Sequence, residues 1–443
     1  MIIKNYEEIG FSGVRRKALE IVNAGIESVL PEKLLKCSVR FEKGELWVRG
    51  RRFRVRGRVF VIGGGKAVGR MSRVLEEIMG EENIEDGIVN CNVPEKTRKI
   101  RVNRAGHPYP DRNGLRGVKE MLGLKEKYGM GKDDLVICLI SGGGSSLLPY
   151  PVDGISFEDK KKVTDLLLKC GAKIQEINKV RKHLSKVKGG RLAEYFYPVR
   201  IVSLIISDVV GDPVETIASG PTAFDSSTFR DVYRVFEKYG ILDRIPESVL
   251  EYVEKGMRGE VPETPKKTPE NSRNFVIGNN MIALRAMERK AKELGFRSEI
   301  VTNKLEGECS LVARKYARIV RKKFESKKVF LLGGETTVTI RGEHGKGGRN
   351  QEYVVSSLWE MRNFPGEWVV ISVGTDGMDF MSEWAGGIID NNSFDLAKKL
   401  NLDIERCLER HDSHSLLKRI KGLVSTGGST GTNVGDLVVY LMK

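Results

Sequence analysis

The sequence contains no apolar run that approaches the ~20 residues needed to cross a membrane, so it excludes a membrane-spanning helix. Residues 1–20 carry acidic side chains and no apolar signal core. We therefore interpret them as a helix of the folded protein, and we expect a cytoplasmic protein with no membrane partner. The six cysteines form no CxxC pair and no other metal-binding spacing, so we interpret them as structural thiols in a reducing compartment.

Signatures of nucleic-acid binding are also missing, although the formal net charge is +16. We find no zinc finger, RNA-recognition or helix-turn-helix pattern, and the basic residues are spread along the chain. We interpret the charge as a solvated surface that could steer anionic substrates, and we expect no nucleic-acid partner. Glutamine is nearly absent while lysine, arginine and glutamate abound, a bias that fits adaptation to heat.

Glycine-rich turns are the most informative feature that is present, and most of them directly follow an apolar run. Glycine at the end of a strand lets the backbone turn tightly and approach a ligand. The amides at the start of a following helix then favour anions. Several such turns predict a cleft that holds phosphates and a small anionic partner. They lie at residues 59–67, 135–148, 329–352, 369–377 and 425–436.

Apolar strand-like runs alternate with helical patterns along most of the chain, which predicts an α/β fold with largely parallel sheets. A length of 443 residues suits two domains, which we place at residues 1–265 and 266–443. The stretch from Pro246 to Asn274 has four prolines, many charges and few apolar residues. This composition predicts a linker or an excursion between domains.

The first turn places Lys66 after three glycines, at the predicted start of a helix. It fits neither the GxGxxG fingerprint of dinucleotide-binding folds nor the P-loop pattern. A lysine at this place opposes the helix dipole, so we expect a substrate carboxylate or phosphate to neutralise it. An exposed lysine in a first helical turn is the alternative.

The second turn follows a buried strand and fails the GxSxG test of a nucleophile elbow. Glycines and small hydroxyls after a buried strand suit a cradle of backbone amides for the phosphates of a nucleotide. A flexible turn capped by serine is the alternative. The turn consists of Ser141, Gly142, Gly143, Gly144, Ser145 and Ser146.

Two further segments of the first half carry candidate substrate ligands. His107 lies in a loop stiffened by two prolines, where it suits an acid, a base or a hydrogen-bond donor; a structural histidine is the alternative. Arg181 and Lys182 lie beside His183 on a basic helix face that suits an anion. The usual explanation for such charges is a solvated face.

Two carboxylates follow the apolar run at residues 200–207, namely Asp208 and Asp212. Carboxylates at the end of a strand, beside predicted phosphate loops, suit Mg²⁺, which prefers oxygen ligands and keeps several waters. Capping of a helix or turn by aspartate is the alternative reading. We expect metal or substrate binding at these two residues.

In the second half, Glu335, Arg349 and Asn350 lie in one glycine-rich stretch. Arg349 precedes a predicted helix, and its guanidinium can hold a carboxylate or phosphate through two parallel hydrogen bonds. Asp376 and Asn433 follow glycine-rich turns at comparable positions. Each residue alone could belong to a turn, but together they predict a polar cleft.

In combination these segments resemble the glycerate 2-kinase family, whose C-terminal domain is called MOFRL. The match runs in family order from about residue 60 to residue 440. The matching segments are GGGKA, AGHPYPD, SGGGSSLL, NKVRKHLSKVKGGRLA, SDVVGDPVETIASGPT, GGETTV, GKGGRNQE, GTDG and TGTNVGD.

The resemblance implies a larger N-terminal Rossmann-like α/β/α domain and a smaller C-terminal α/β domain, with the active site between them. It implies ATP-dependent phosphorylation of D-glycerate at its 2-hydroxyl, with ATP and Mg²⁺ bound. Carried over, Lys66 and Arg349 are the central site residues, with the SGGGSS turn and Asp208 nearby. We expect Asp208 to orient or deprotonate the hydroxyl, His107, Arg181, Asp376 and Asn350 to bind substrate, and the protein to form a homodimer.

Two positions depart from the family pattern. Phe380 replaces a glycine after the GTDG turn, although Asp379 is kept, and Gly428 lies where the family usually has a proline before TGTNV. These departures could change substrate preference or closure. Two other functions stay open: an NAD(P)H-dependent hydroxypyruvate reductase, against which the missing dinucleotide fingerprint argues, and a non-catalytic ligand-binding protein.

Overall fold

The structure, a computed structural model, describes residues 1–381 and 383–443, which form two compact units. The first unit comprises Leu35–Ser207 and Asp212–Ile277. The second unit comprises Met1–Leu34, Asp208–Gly211 and Gly278–Lys443, so it draws on both ends of the described chain.

Strands and helices alternate along both units, which confirms the predicted α/β class. The strands are β1 (Val39–Glu42), β2 (Glu45–Val48), β3 (Arg51–Arg54), β4 (Val59–Gly64), β5 (Asp86–Cys91), β6 (Ile100–Arg104), β7 (Leu135–Ile140), β8 (Arg200–Ile206), β9 (Ser272–Gly278), β10 (Arg297–Leu305), β11 (Lys328–Gly334), β12 (Trp368–Gly374), β13 (Gly386–Asp390), β14 (Leu423–Val424) and β15 (Asp436–Met442).

The helices are α1 (Tyr6–Ile9), α2 (Gly13–Ser28), α3 (Pro31–Ser38), α4 (Val68–Met79), α5 (Arg112–Lys127), α6 (Gly144–Leu147), α7 (Phe157–Lys169), α8 (Ile174–His183), α9 (Arg191–Phe196), α10 (Phe229–Lys238), α11 (Glu247–Met257), α12 (Asn280–Glu293), α13 (Cys309–Lys322), α14 (Arg349–Met361), α15 (Ser393–Lys399), α16 (Ile404–Glu409) and α17 (Ser413–Arg419). Within the described ranges, no helix is both long and apolar enough to cross a membrane.

The main sheet of the first unit has the strand order β6-β5-β4-β7-β8-β9, and the pairings from β6 to β8 are parallel. Every residue of β4 and β7 is buried, as expected for central strands of a parallel sheet. The chain moves outward from β4 in one direction and then returns to place β7 on its other side. Ligands of open α/β sheets bind at such a switch point, beyond the carboxyl ends of the strands.

Helices α7, α8, α10 and α11 of the first unit share an apolar cluster. This corrects the prediction of a linker at residues 246–274, because residues 247–257 form α11 and Val249 and Val253 on that helix are fully buried. A side chain on Gly256 of α11 would collide with the ring of Phe229, so the packing is close. The apolar spacing of residues 249, 250 and 253 was the missed signal, and the flanking prolines concealed it.

The sheet of the second unit has the order β10-β11-β15-β12-β13-β14. Among the strand pairings of the described residues in this sheet, only β10–β11 is parallel, so the expectation of largely parallel sheets is wrong for this unit. The reason is that β15 inserts between β11 and β12 and runs antiparallel to both.

The predicted N-terminal helix is present as α2, which packs against α12 and against β12 and β15. Arg15 on α2 is 1% exposed, and its Nε donates to Asp390 Oδ2 at 2.6 Å. Burial lowers the pKa of this guanidinium, and the adjacent carboxylate of Asp390 opposes that effect. The N-terminal segment is therefore an internal part of the second unit.

Candidate functional site

The first two glycine-rich turns meet because β4 and β7 are adjacent parallel strands, with Gly64 in register with Ile140. The amide of Lys66 donates to the carbonyl of Gly142 at 2.8 Å. The amide of Ala67 donates to Ser141 Oγ at 2.9 Å, and Ser141 is fully buried. Ser141 therefore connects the start of α4 to the second turn. Lys66 lies directly before this connection and is half-buried.

Two glycines in these turns are required by the geometry. Gly65 has a φ of +154°, and a Cβ there would lie 2.1 Å from Ser141 Oγ. Gly143 has a φ of +79°, and its Cβ would lie 2.8 Å from the imidazole of His107 and 3.1 Å from Lys66 Cγ. The structure thus brings Lys66, His107 and the SGGGSS turn together within the first unit.

The far end of the SGGGSS turn is held by hydroxyls and by a buried lysine. Ser145 Oγ and Ser219 Oγ are 2.9 Å apart, and Ser219 Oγ donates to Asn178 Oδ1 at 3.2 Å. The carbonyl of Ser145 accepts from Lys188 Nζ at 2.8 Å. Ser145, Ser146 and Arg181 line one cavity, so Arg181 is also near this turn.

The interpretation of the basic α8 face as solvated is wrong. Lys182 is 6% exposed and its ammonium lies 3.2 Å from Asp225 Oδ1, while the fully buried His183 ring lies 3.0 Å from Glu263 Oε2. Burial alone would raise the pKa of Asp225, but Lys182 and other donors outweigh it and lower that pKa. The partners of Lys182 and His183 are residues 225 and 263, which lie far from α8 in the sequence. The helical pattern of α8 therefore could not predict these contacts.

In the second unit, Arg349 begins α14 and forms a bidentate pair with Asp436. Its Nε lies 2.7 Å from Asp436 Oδ2 and its Nη2 2.9 Å from Oδ1. Its Nη1 lies 3.1 Å from Glu335 Oε1. Burial acts to lower the pKa of Arg349, but the two carboxylates outweigh it and raise that pKa. The guanidinium is therefore fixed in orientation before any ligand arrives.

Asp379 caps the start of α14 from a distant loop. Its carboxylate accepts from the amide of Asn350 at 3.0 Å and from the amide of Gln351 at 2.9 Å. Burial raises the pKa of Asp379 to about 6, although these amide hydrogen bonds act to lower it. Asn350 also donates to Asp436 Oδ1 at 2.9 Å, which ties Asp379, Asn350 and Asp436 into one buried network.

Asp436 is the central residue of this network, and it was not singled out from the sequence. The available signal is that it opens β15, whose residues are all buried, and a carboxylate at such a position requires a cationic partner. Arg349 also lines a cavity of about 370 Å³ together with Glu335, Thr336 and Phe380. There is therefore space beside the guanidinium for a small ligand.

The departure at Phe380 has a backbone explanation. Phe380 has a φ of +64° and is 78% exposed, so a bulky residue occupies the left-handed region that favours glycine. Gly428 has a φ of +111°, a value closed to proline because its ring fixes φ near about −65°. The backbone at residue 380 therefore keeps a conformation that suits the family's glycine, whereas the backbone at residue 428 excludes the family's proline.

Three more predicted residues lie in the second unit. Asn433 Nδ2 donates to Asp208 Oδ2 at 3.0 Å, so these two are neighbours. A Cβ at Gly374 would lie 3.1 Å from Asp376 Oδ1 and 3.6 Å from Asn350 Nδ2, so Asp376 and Asn350 flank the same glycine. Asp212 belongs to the first unit and Asp208 to the second, so the predicted metal pair is divided between the two units.

Two buried thiols support the backbone of the two central residues. Cys91 Sγ donates to the carbonyl of Lys66 at 3.3 Å, and Cys309 Sγ donates to the carbonyl of Arg349 at 2.9 Å. Burial raises the pKa of both thiols, so they stay protonated donors. The sequence predicts buried structural thiols, and these two have that role beside the candidate site. The prediction is wrong for Cys37, which is exposed, and Cys170 and Cys407 are only partly buried.

The fold and the site define a two-part α/β protein with glycine-turn ligand loops, a class common among enzymes that bind phosphorylated ligands. Two family models match the chain: one described as a domain of unknown function (DUF4147) over residues 17–254, and the MOFRL family over residues 328–436.

Curated relatives agree with these models. The chain is 42% identical to the glycerate 2-kinase of Pyrococcus horikoshii, over 97% of each chain, and 38% identical to the D-glycerate 2-kinase of Thermotoga maritima, over 97% of this chain and 98% of that one. The crystal structure of glycerate kinase from Thermotoga maritima superimposes with a TM-score of 0.83 at 36% identity, covering 97% and 99% of the two chains. The chain belongs to the MOFRL-type glycerate kinase family.

Proposed function

We propose that the protein is a glycerate 2-kinase, which transfers the terminal phosphoryl group of ATP to the 2-hydroxyl of D-glycerate and releases ADP and 2-phosphoglycerate. The observation that carries this proposal is the 42% identity to a glycerate 2-kinase over 97% of both chains. The missing dinucleotide fingerprint argues against the reductase alternative.

Phosphoryl transfer requires positioning and charge neutralisation more than covalent chemistry, and the polar residues suit that task. In this proposal, Lys66 holds the glycerate carboxylate or the transferring phosphate, and Arg349 holds the other. A guanidinium has five N–H donors, and the pairings with Asp436 and Glu335 use three of them. Donors are therefore left for an incoming oxyanion.

The remaining predicted residues take supporting roles in this proposal. Asp208, held by the amide of Asn433, orients or deprotonates the 2-hydroxyl. Asn350 and Asp376 bind the substrate in the second unit, and His107 and Arg181 bind it in the first. Residues 141–146 supply backbone amides to the phosphates of ATP.

In this proposal a Mg²⁺ ion arrives with the nucleotide. Of the residues that the structure describes, no group of three or more His, Cys, Asp or Glu side chains could form an all-protein metal cage. Mg²⁺ at phosphate sites is typically held by one or two carboxylates together with phosphates and waters. Asp208 and Asp212 would supply those carboxylates, and the bound ion would neutralise phosphate charge.

The test is an assay with Mg²⁺-ATP and D-glycerate at elevated temperature, in which enolase alone converts the product. Enolase accepts 2-phosphoglycerate directly and needs a mutase for the 3-isomer. Signal with enolase alone supports the proposal, signal only with added mutase indicates a 3-kinase, and absence of ADP refutes a kinase. Oxidation of NADH with hydroxypyruvate would instead favour the reductase.

The role assignments are tested by Lys66→Ala, Arg349→Ala and Arg349→Lys. We expect turnover to fall by about 100-fold or more while ATP still binds, because each alanine change removes a preorganised positive charge. Arg349→Lys keeps the charge but loses the planar guanidinium that pairs with Asp436 through two hydrogen bonds. Lys162→Ala is the matched control, since Lys162 is an exposed lysine of the first unit. Unchanged turnover in both alanine variants would refute the roles of Lys66 and Arg349.

Three features stay predictions from the sequence. These are the domain limits at residues 1–265 and 266–443, a homodimer, and a cytoplasmic location. Limited proteolysis followed by mass spectrometry tests the domain limits, and light scattering on the purified chain tests the homodimer.

A further inference from the structure

A small cavity in the first unit is lined by a cluster of cations. The cavity has a volume of about 40 Å³, and Lys160, Arg181 and Lys188 line it together with Ser145 and Ser146. Lys160 lies on α7 and Arg181 on α8, while Lys188 lies in the loop that follows α8. Three separate segments therefore place a positive side chain at one point.

These cations are buried or, for Arg181, partly buried, and none has a compensating carboxylate. Lys188 is 1% exposed and Lys160 is 8% exposed. Neither lysine nor Arg181 forms an ion pair with any described residue. Lys182 gives the contrast, because its buried ammonium is paired with Asp225 at 3.2 Å. Burying an unpaired charge is costly, so three such groups around one cavity point to a missing anion.

The hydrogen bonds that these groups make leave donors for a ligand. Lys188 Nζ donates to the carbonyls of Ser145 at 2.8 Å and Leu148 at 3.0 Å, so one of its three N–H groups remains. Lys160 Nζ donates to the carbonyl of Tyr150 at 3.3 Å, so two remain.

Mutual repulsion in the cluster agrees with this geometry. Burial and, to a smaller extent, the nearby Arg181 together lower the pKa of Lys188 to about 7. Burial and the neighbouring cations also lower the pKa of Lys160 well below its ordinary value. The basic groups that face the cavity or act on it are Lys160, Lys161, Arg181, Lys188 and Arg191. A bound oxyanion would remove this repulsion.

We propose that this cavity is a phosphate-binding pocket that holds one phosphate group through Lys160, Arg181 and Lys188. A phosphate suits three cations better than a carboxylate does, because it carries nearly two negative charges and more acceptor oxygens. The pocket adjoins Ser145 and Ser146 of the SGGGSS turn. The identity of the phosphate carrier rests on the proposed kinase function, and it is either the nucleotide or the phosphorylated product.

The experiment is titration calorimetry of the full-length protein with inorganic phosphate. We compare the unchanged protein with Lys188→Met and Arg181→Gln, and use Lys162→Met as the matched control. Lys162 lies on α7 like Lys160 but is exposed and does not line the cavity. We expect phosphate to bind at least about tenfold more weakly to the first two variants and equally well to the control.

Arg181→Gln keeps the test valid if Lys188→Met fails to fold, because Arg181 is only partly buried and circular dichroism can verify its fold. Proton uptake is a second readout. Binding should be accompanied by uptake of protons near neutral pH, measured as a dependence of the heat on the buffer, because phosphate would restore the charge of the lysines.

Further titrations distinguish the carriers. Weaker binding of ADP to Arg181→Gln assigns the pocket to the nucleotide, and weaker binding of 2-phosphoglycerate assigns it to the product. Equal phosphate affinity in Arg181→Gln and the control, or an effect on D-glycerate alone, would overturn the pocket. A protein that binds phosphate through these residues but makes no 2-phosphoglycerate would keep the pocket and refute the kinase. A protein that makes 2-phosphoglycerate but whose variants bind phosphate as tightly as the control would keep the kinase and refute the pocket.

Discussion

Replacing Lys188 by methionine should change how stability depends on pH. The folded-state pKa of Lys188 is about 7 because the ammonium is buried and lies near Arg181, whereas its ordinary value is 10.5. Between these values the unfolded chain binds a proton that the folded chain does not. Stability of the unchanged protein therefore rises with pH across this window through Lys188, and the methionine variant lacks that contribution.

The size of the effect follows from the same linkage. Each pH unit in the window is worth at most about 1.4 kcal/mol. Over the roughly 3 units between pH 7 and pH 10, the free energy of unfolding of the unchanged protein should rise by about 2–4 kcal/mol relative to Lys188→Met. The variant also leaves the carbonyls of Ser145 and Leu148 without their donor, a cost of about 1–3 kcal/mol that is independent of pH.

The assay is guanidinium chloride unfolding at several pH values. The buffers contain no phosphate or sulfate, so that the proposed phosphate-binding pocket stays empty. Lys162→Met is the control, because that lysine is exposed to water in the folded chain. For this control, the free energy of unfolding should change with pH in the same way as for the unchanged protein. Parallel curves for Lys188→Met would refute the linkage and show that the buried ammonium keeps its charge.

Four other changes test a glycine turn, a helical glycine as its control, the arginine network and the backbone at residue 380. Gly65→Ala should abolish activity, because the new Cβ would lie 2.1 Å from Ser141 Oγ. Gly123→Ala should instead add about 0.5–1 kcal/mol of stability, because its new Cβ would have nothing within 4 Å. Measurements of unfolding and of turnover check both variants. Asp436→Asn should lower kcat more than it raises KM, because the charge that orients Arg349 is lost, and equal kcat values would contradict this. Phe380→Gly should stabilise the protein by about 1 kcal/mol by relieving the φ of +64°, and a lower unfolding midpoint would contradict this.

The first unit was the more predictable part of the fold. Glycines directly after apolar runs correctly marked the ends of β4 and β7, and parallel neighbours bring such ends together. Lys66, His107 and the SGGGSS turn meet for that reason. The antiparallel orientation of β15 was not predictable, because the apolar pattern of a fully buried strand does not depend on the direction in which the strand runs.

The buried charges explain most of what the sequence could not reveal. Lys160 and Lys188 resemble solvated lysines in any local pattern, since their burial depends on contacts between α7, α8 and the following loop. Asp379 and Asp436 lie far in sequence from the helix start that they hold. Local sequence composition predicts neither the burial of a charged side chain nor a partner that is distant in sequence. The roles of the buried charged residues in both units depend on these two properties.

The inner place of β15 in its sheet has a consequence for biosynthesis. This strand follows every other strand of the sheet in the sequence, yet both of its edges are paired, with β11 on one side and β12 on the other. Until residue 442 has left the ribosome, the nascent chain holds two partial sheets with open edges. Open strand edges invite pairing between chains, so the growing polypeptide is prone to aggregate until β15 has emerged and paired.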